Sequence, residues 1–433
     1  MLPRPLLLAA TAILTLTACL PQGQRLPQSP FLAIFEPRSG QIAFIGVDGN
    51  VHVVDQAGRE PRQLTEDADV ESEARRVLYR TPTWSLASDR LAVLRHAFDG
   101  EALAVSSVVV LNVATGERTS VYESPVEHPI YVSWSPAGDH LSLLTGQATA
   151  SRYVLWDVPV DGGEPHVVDA GRPAYWTWTP DGSAILTHIG GSQAENPGQA
   201  RLSLLRLGEP VTEYGLEIEP FHFQAPALSP QGDRLLVASD GGQAPALMMT
   251  TPFGEPIAEI AALDGPVAFG WSPTGGHAAF IASEAPDGSL LGRLQLVDLA
   301  DPHAPVTTTV GDDLVSAFDW SPDGRRLLSY APVLMEAEEG GEPTLLLRLN
   351  VTEVGSGETR RLGTFRPTEA FVGLLPFFDQ YAQSATAWSP DGRNIVFTAV
   401  TDDGTPAAFV MSASGTVEPR GVVEGVYAVW SWR

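Results

Sequence analysis

The side chains in this sequence that could do chemistry stand apart from one another. Nine histidines, among them His52, His96, His188, His222 and His277, occur singly. There is neither a His-Glu-x-x-His motif nor a Cys/His cluster that could hold zinc. No Gly-x-Ser-x-Gly turn raises a serine as a nucleophile. All 26 basic residues are arginine, and the absence of lysine removes Schiff-base chemistry, Ser-Lys nucleophile pairs and the phosphate-loop lysine. Acidic turns such as Asp402-Asp403-Gly404 lack the Asp-x-Asp-x-Asp-Gly spacing that gathers enough oxygens around calcium, so they read as solvated turns. No metal, cofactor or catalytic residue is expected. A net charge of -26 also argues against nucleic acid as a partner, because phosphate binding needs a surplus of cations.

Cys19 is the exception, as the only cysteine and so unable to form an internal disulfide. It follows one arginine, Arg4, and an apolar run from Leu6 to Leu16 that is too short for a permanent membrane span. The run ends in Leu16-Thr17-Ala18-Cys19, and Pro21, Gln22, Gly23 and Gln24 then begin a polar stretch. This segment resembles a bacterial lipoprotein signal. The resemblance implies removal of residues 1–18, acylation of Cys19 by diacylglycerol and a chain such as palmitate, and a linker over residues 19–33. Two or three acyl chains make a stable membrane anchor, where one is marginal.

The elements that would position any site come from a repeat. Trp320-Ser321-Pro322-Asp323-Gly324 recurs as Trp388-Ser389-Pro390-Asp391-Gly392, with relatives at Trp134-Ser135-Pro136, Trp178-Thr179-Pro180-Asp181-Gly182 and Trp271-Ser272-Pro273. Weaker copies lie at Trp84-Ser85, Leu228-Ser229-Pro230 and Phe35-Glu36-Pro37. The position seven residues after each anchor is always apolar: Ile42, Leu91, Leu141, Ile185, Leu235, Ala278, Leu327 and Ile395. The anchor ends one strand, Ser-Pro-Asp-Gly turns the chain, and the apolar residue returns to the core on the next strand. Two further apolar runs follow each hairpin, as at Val51 and Pro61, Val108 and Thr119, and Tyr153 and His166. Four short strands per repeat make a propeller blade.

Anchor spacings of 49, 50, 44, 50, 43, 49 and 68 residues from Phe35 to Trp388 suit blades. A last anchor, Trp430-Ser431, has no hairpin partner after it. It can complete the N-terminal blade around Ile42 and close the ring. The predicted fold is therefore an all-β propeller over residues 34–433, with eight four-stranded blades, or seven if the Leu228 copy is not a blade. The anchor tryptophans are expected to wedge between blades, and a closed ring protects its strand edges, consistent with a monomer.

The Trp-Ser-Pro-Asp-Gly hairpins, with the blade ending Pro61-Arg62-Gln63-Leu64-Thr65, resemble the TolB-like (WD40-like) propeller repeat from about residue 35 onward. The resemblance implies a non-catalytic interaction role in the cell envelope. The short distance from Cys19 to Phe35 leaves out the separate N-terminal domain of the periplasmic TolB protein, so only the repeat carries over. Propeller peptidases share such repeats but append a hydrolase domain for which no residues remain here, and the Ser-x-Asp-x-Gly-x-Thr-Trp box of sialidase-like propellers is absent.

If the blades are scaffold, function falls to the places where the repeat breaks. The widest interval, before Trp388, holds an acidic stretch at residues 336–342, read as a solvated tip, and an apolar segment at residues 371–384. Phe371, Phe377, Phe378 and Tyr381 are costly to leave in water. The segment either plugs the channel or presents a partner site, with these aromatic residues as anchors and Asp379, Gln380 and Ser384 for polar specificity. The functional expectation is a non-catalytic module on the extracytoplasmic side of a membrane that binds an envelope protein or other ligand. The alternative is a propeller enzyme or small-ligand binder with a site on the ring axis.

Overall fold

The computed structural model describes residues 38–147, 152–190, 200–208, 210–241, 244–336 and 343–433. Cys19 with the residues read as a signal, the Phe35 anchor and residues 337–342 of the acidic stretch lie outside them.

The described chain forms eight antiparallel sheets, the eight blades of a propeller. Blades 2 to 7 follow one another along the chain, each of four strands in sequence order from the channel outward. The inner strand of blade 5 has only the two residues Ala227–Leu228, but it pairs in register with Leu235 and Leu236, so the weak Leu228 copy is a true blade. Blade 8 has three strands and an inner edge reduced to a Trp388↔Ile395 bridge, because the chain enters it directly from the 369–384 segment.

Ring closure follows the sequence-based scheme. Tyr427–Trp430 pairs antiparallel with Ile42–Ile45 as the inner strand of blade 1. Ser431 then acts as the repeat's serine across the two chain ends. Its N–H donates to Gln41 O, and its Oγ accepts from Gln41 N, each at 2.8 Å. Elsewhere the same two bonds are made within one hairpin, to the residue five positions on.

The motif's chemistry explains this regularity. In Ser321 and Ser389 the hydroxyl donates to Asp323 and Asp391 at 2.7 and 2.6 Å and accepts the amide that re-enters the sheet, so the turn's polar groups are satisfied locally. Gly232 takes φ +73°, and a Cβ there would meet Pro180 of the preceding blade at 3.2 Å. Glycine is thus required both for backbone conformation and for the approach of the neighbouring proline. The eight apolar positions seven residues beyond the anchors are all 2% exposed or less.

The tryptophans join the blades. Trp134 Nε1 donates to Thr83 O at 2.9 Å, Trp271 Nε1 to Ala227 O at 2.8 Å and Trp388 Nε1 to Asp319 O at 3.2 Å. Each acceptor is the residue just before the previous blade's anchor. Arginines at the start of second strands stack on the next blade's indole, as Arg90 does on Trp134 and Arg234 on Trp271.

Candidate functional site: the axial channel

The inner strands of a propeller present unpaired N–H and C=O groups to the channel, and these need partners wherever water is excluded. At the mouth where the inner strands begin, residues 369–384 supply them. The segment folds as a short helix Glu369–Val372, a 3-10 turn Leu375–Phe377 and a second short helix Phe378–Tyr381. Thr368 caps the first helix, accepting from Phe371 N, and its hydroxyl also reaches Val426 O of blade 1 at 2.7 Å.

The polar residues of the segment point into the ring. The Gln380 carboxamide pairs with both backbone groups of Trp176 in blade 4, accepting from its N–H and donating to its C=O, each at 2.9 Å. Tyr131 of blade 3 donates to Gln380 O and lies 2.9 Å from Ser384 Oγ. Asp379 accepts from Ala225 N, at the entry to blade 5, at 2.8 Å. Among the apolar residues, Phe378 packs edge-on against Phe318, Phe371 against Tyr330, and Tyr381 against Tyr131. Phe378, Gln380 and Ser384 are buried, whereas Phe377 is 46% exposed. The seven loop residues named from the sequence are therefore brought together, but Asp379, Gln380 and Ser384 are engaged with the ring itself.

The other mouth, on the face of the Ser-Pro-Asp-Gly turns, is open. A funnel of about 600 Å³ is walled there by Leu86, Pro136, Pro180, Pro230, Pro273 and Pro322, one from each of blades 2 to 7. Trp432 completes the wall, and Phe378, Asp379, Ala382 and Gln383 of the plug form the floor. Trp178, Trp271 and Trp320 also line it.

Two carboxylates line this funnel. Asp319 accepts from Ala387 N at 3.0 Å and Thr386 Oγ1 at 3.2 Å, and burial pushes its pKa up to about 7 against those hydrogen bonds. Burial likewise pushes Asp379 up to about 6, opposed by Ala225 N–H. Neither forms an ion pair with an arginine among the described residues. Carboxyls held partly protonated near neutrality can donate as well as accept, so they could recognise an amide or a cation, or move a proton. Asp319 occurs in the repeat's inner strand, and nothing in its sequence context distinguishes it from the equivalent Thr83, Ser133 or Thr177.

Of the histidines, His96 and His128 lie within electrostatic reach of each other. Buried His188 bonds through Nδ1 to Gln224 O at 2.8 Å, and desolvation pushes its pKa down to about 4. His52 lies beside Asp48 at 3.1 Å and His140 beside Asp157 at 2.8 Å. Among the described residues no three His, Cys, Asp or Glu side chains gather as metal ligands.

The fold and this site define the chain as an eight-bladed β-propeller with an axial channel plugged at one mouth and open at the other. No family model matches it. No curated protein sequence matches it either. Solved structures do. The dihydro-heme d1 dehydrogenase NirN in complex with DHE is 14% identical, over 96% of this chain and 78% of that one, with a TM-score of 0.53. An oligogalacturonate lyase in complex with manganese is 13% identical over 91% and 98%, with a TM-score of 0.50. TolB from Acinetobacter baumannii is 14% identical over 82% and 81%, with a TM-score of 0.37. At such identities the likeness is one of fold alone.

Proposed function

We propose that this protein is a lipid-anchored, non-catalytic binding module outside the cytoplasmic membrane, which receives an envelope protein or other extracytoplasmic ligand in the funnel. The observation that carries this reading is the blind funnel itself. It is a concave site of ligand size, walled by rigid turns from successive blades and floored by a plug whose own polar groups are already paired. A partner binding there meets proline and tryptophan side chains with little conformational freedom to lose.

The Leu16-Thr17-Ala18-Cys19 box supports the anchor. Among the described residues no helix is long and apolar enough to cross a membrane. Arg38 and Arg433 both lie on the funnel face, beside the blade 8 and blade 2 turns. The stretch of chain from Cys19 to Arg38 has a contour length of about 65 Å, which sets the greatest reach of such an anchor.

Asp319 and Asp379 favour a second reading, in which a funnel ligand is protonated or deprotonated by these carboxyls. Capture from solubilised membranes separates the two. The binding module retains a specific partner with Asp379→Asn and loses it with Ala382→Trp, which fills the funnel, while Cys19→Ala moves the protein off the membrane. Retention of every partner by Ala382→Trp refutes the funnel as the site. Turnover that disappears in Asp379→Asn establishes the second reading.

A further inference from the structure

The plugged mouth carries a second cavity that the funnel does not explain. Among the described inner strands only two contain bulges. They lie in Val77–Trp84, between Arg80 and Thr83, and in His128–Trp134, between Pro129 and Tyr131. Both bulges open onto one pocket of about 710 Å³ between blades 1, 2 and 3 and the plug. Bulges are devices that re-aim a side chain at the expense of ladder pairing, and two adjacent ones facing one cavity point to its use.

The first bulge is also strained. Thr81 has φ +46°, a region that a β-branched residue avoids, and its buried hydroxyl has no partner. Such strain persists only where the surroundings enforce it, and it concentrates at binding sites. Its consequence here is the placement of Arg80, which is exposed and has no hydrogen bond or ion pair among the described residues. Beside it on the second strand lies His96, whose Nδ1 is 2.9 Å from Ser106 Oγ. Burial, then Arg80 and His128, push its pKa down to about 4, so it stands as a neutral hydrogen-bonding group. Glu369, at the start of the plug, is the one carboxylate in the lining. The remaining walls are largely apolar, including Leu78, Leu94, Ile130, Leu374 and Tyr427.

We propose that this pocket binds an amphipathic anion, with a carboxylate or phosphate head on Arg80 and an apolar body along Leu78, Leu94, Ile130 and Leu374. An unpaired guanidinium at the edge of an apolar cavity is complementary to such a ligand, because its fork of donors matches a carboxylate or phosphate and its charge has no protein partner to displace. The site lies at the opposite mouth from the funnel and does not depend on what the funnel receives.

Isothermal titration of the purified full chain tests this with four probes sharing a ten-carbon tail: undecanoate, decyl phosphate, 1-decanol and decyltrimethylammonium. One of the two anions is expected to bind one to one, at least tenfold tighter than the alcohol or the cation, and the tighter anion identifies the head group. Arg80→Gln should remove that preference, whereas Arg325→Gln on the opposite face should leave it unchanged. Ile130→Glu, at a position already 39% exposed, should weaken anion binding about tenfold by placing a like charge in the tail path. Equal affinity for all four probes, no saturable anion binding, or an Arg80→Gln chain that keeps its anion preference would overturn the proposal.

Discussion

Replacing Gln380 with alanine isolates the contribution of the plug. In the native chain its carboxamide satisfies both the N–H and the C=O of Trp176, which is 0% exposed. The substitution leaves both backbone groups without that partner, and Gln383 Nε2, at 3.0 Å from Trp176 O, can still serve only the carbonyl. A buried unsatisfied group costs about 1–3 kcal/mol, so one fully orphaned N–H and one weakened C=O predict a loss of about 2–4 kcal/mol. A ring of this size need not unfold in two states, so the global figure alone is a weak test. Hydrogen exchange provides the local one. The Trp176 amide should lose about two orders of magnitude of protection in Gln380→Ala, in line with such a free-energy change, while amides of blade 6 keep theirs. Urea midpoints should fall in parallel with little change in m. Unchanged protection at Trp176 would refute the assignment of the plug as the partner of the inner-strand edge.

Other perturbations follow from the same geometry. Trp271→Phe should destabilise by about 1 kcal/mol more than Trp320→Phe, because the Trp271 indole has a carbonyl partner and the buried Trp320 Nε1 has none; thermal melts of the two variants check this. Asp319 has a pKa raised from 3.8 to about 7 by burial, so the folded state holds a proton that the unfolded state releases. Its contribution is therefore complete below about pH 4 and is lost as pH rises through about 7. Asp319→Asn should flatten that decline, measured as denaturant midpoints from pH 4 to 8. Trp430→Ala removes a fully buried side chain whose indole donates to Ser39 O at 2.7 Å. It should cost about 3–5 kcal/mol and expose the ends of the ring to limited proteolysis.

The architecture was legible because the repeat encodes it twice, as turn chemistry in Ser-Pro-Asp-Gly and as an apolar residue at fixed distance. Even the degenerate Leu228 copy keeps Ser229 and Leu235, and it forms a blade. Trp430 likewise announced closure by arriving without a hairpin partner. The site was less legible. The apolar character of residues 371–384 marked the segment, yet Asp379, Gln380 and Ser384 look the same whether they meet a partner or a strand edge. The deciding fact is which inner-strand amides lack a neighbour, and that depends on the ring. The funnel is assembled from one turn residue per blade, so no local motif records it. The bulges at Thr81 and Ile130 are equally silent, since nothing about the Thr81-Pro82 and Pro129-Ile130 pairs demands a register shift.

The central claim, that the ring receives its partner in the open funnel, is tested most directly by site-specific photo-crosslinking in membranes. A small diazirine side chain, no larger than leucine and so leaving the funnel open, placed at Ala382 on the funnel floor should capture a discrete partner that the same residue at Gly116, in an outer turn of blade 2, does not. Capture from Gly116 with none from Ala382 would place the partner on the outside of the ring and contradict the account.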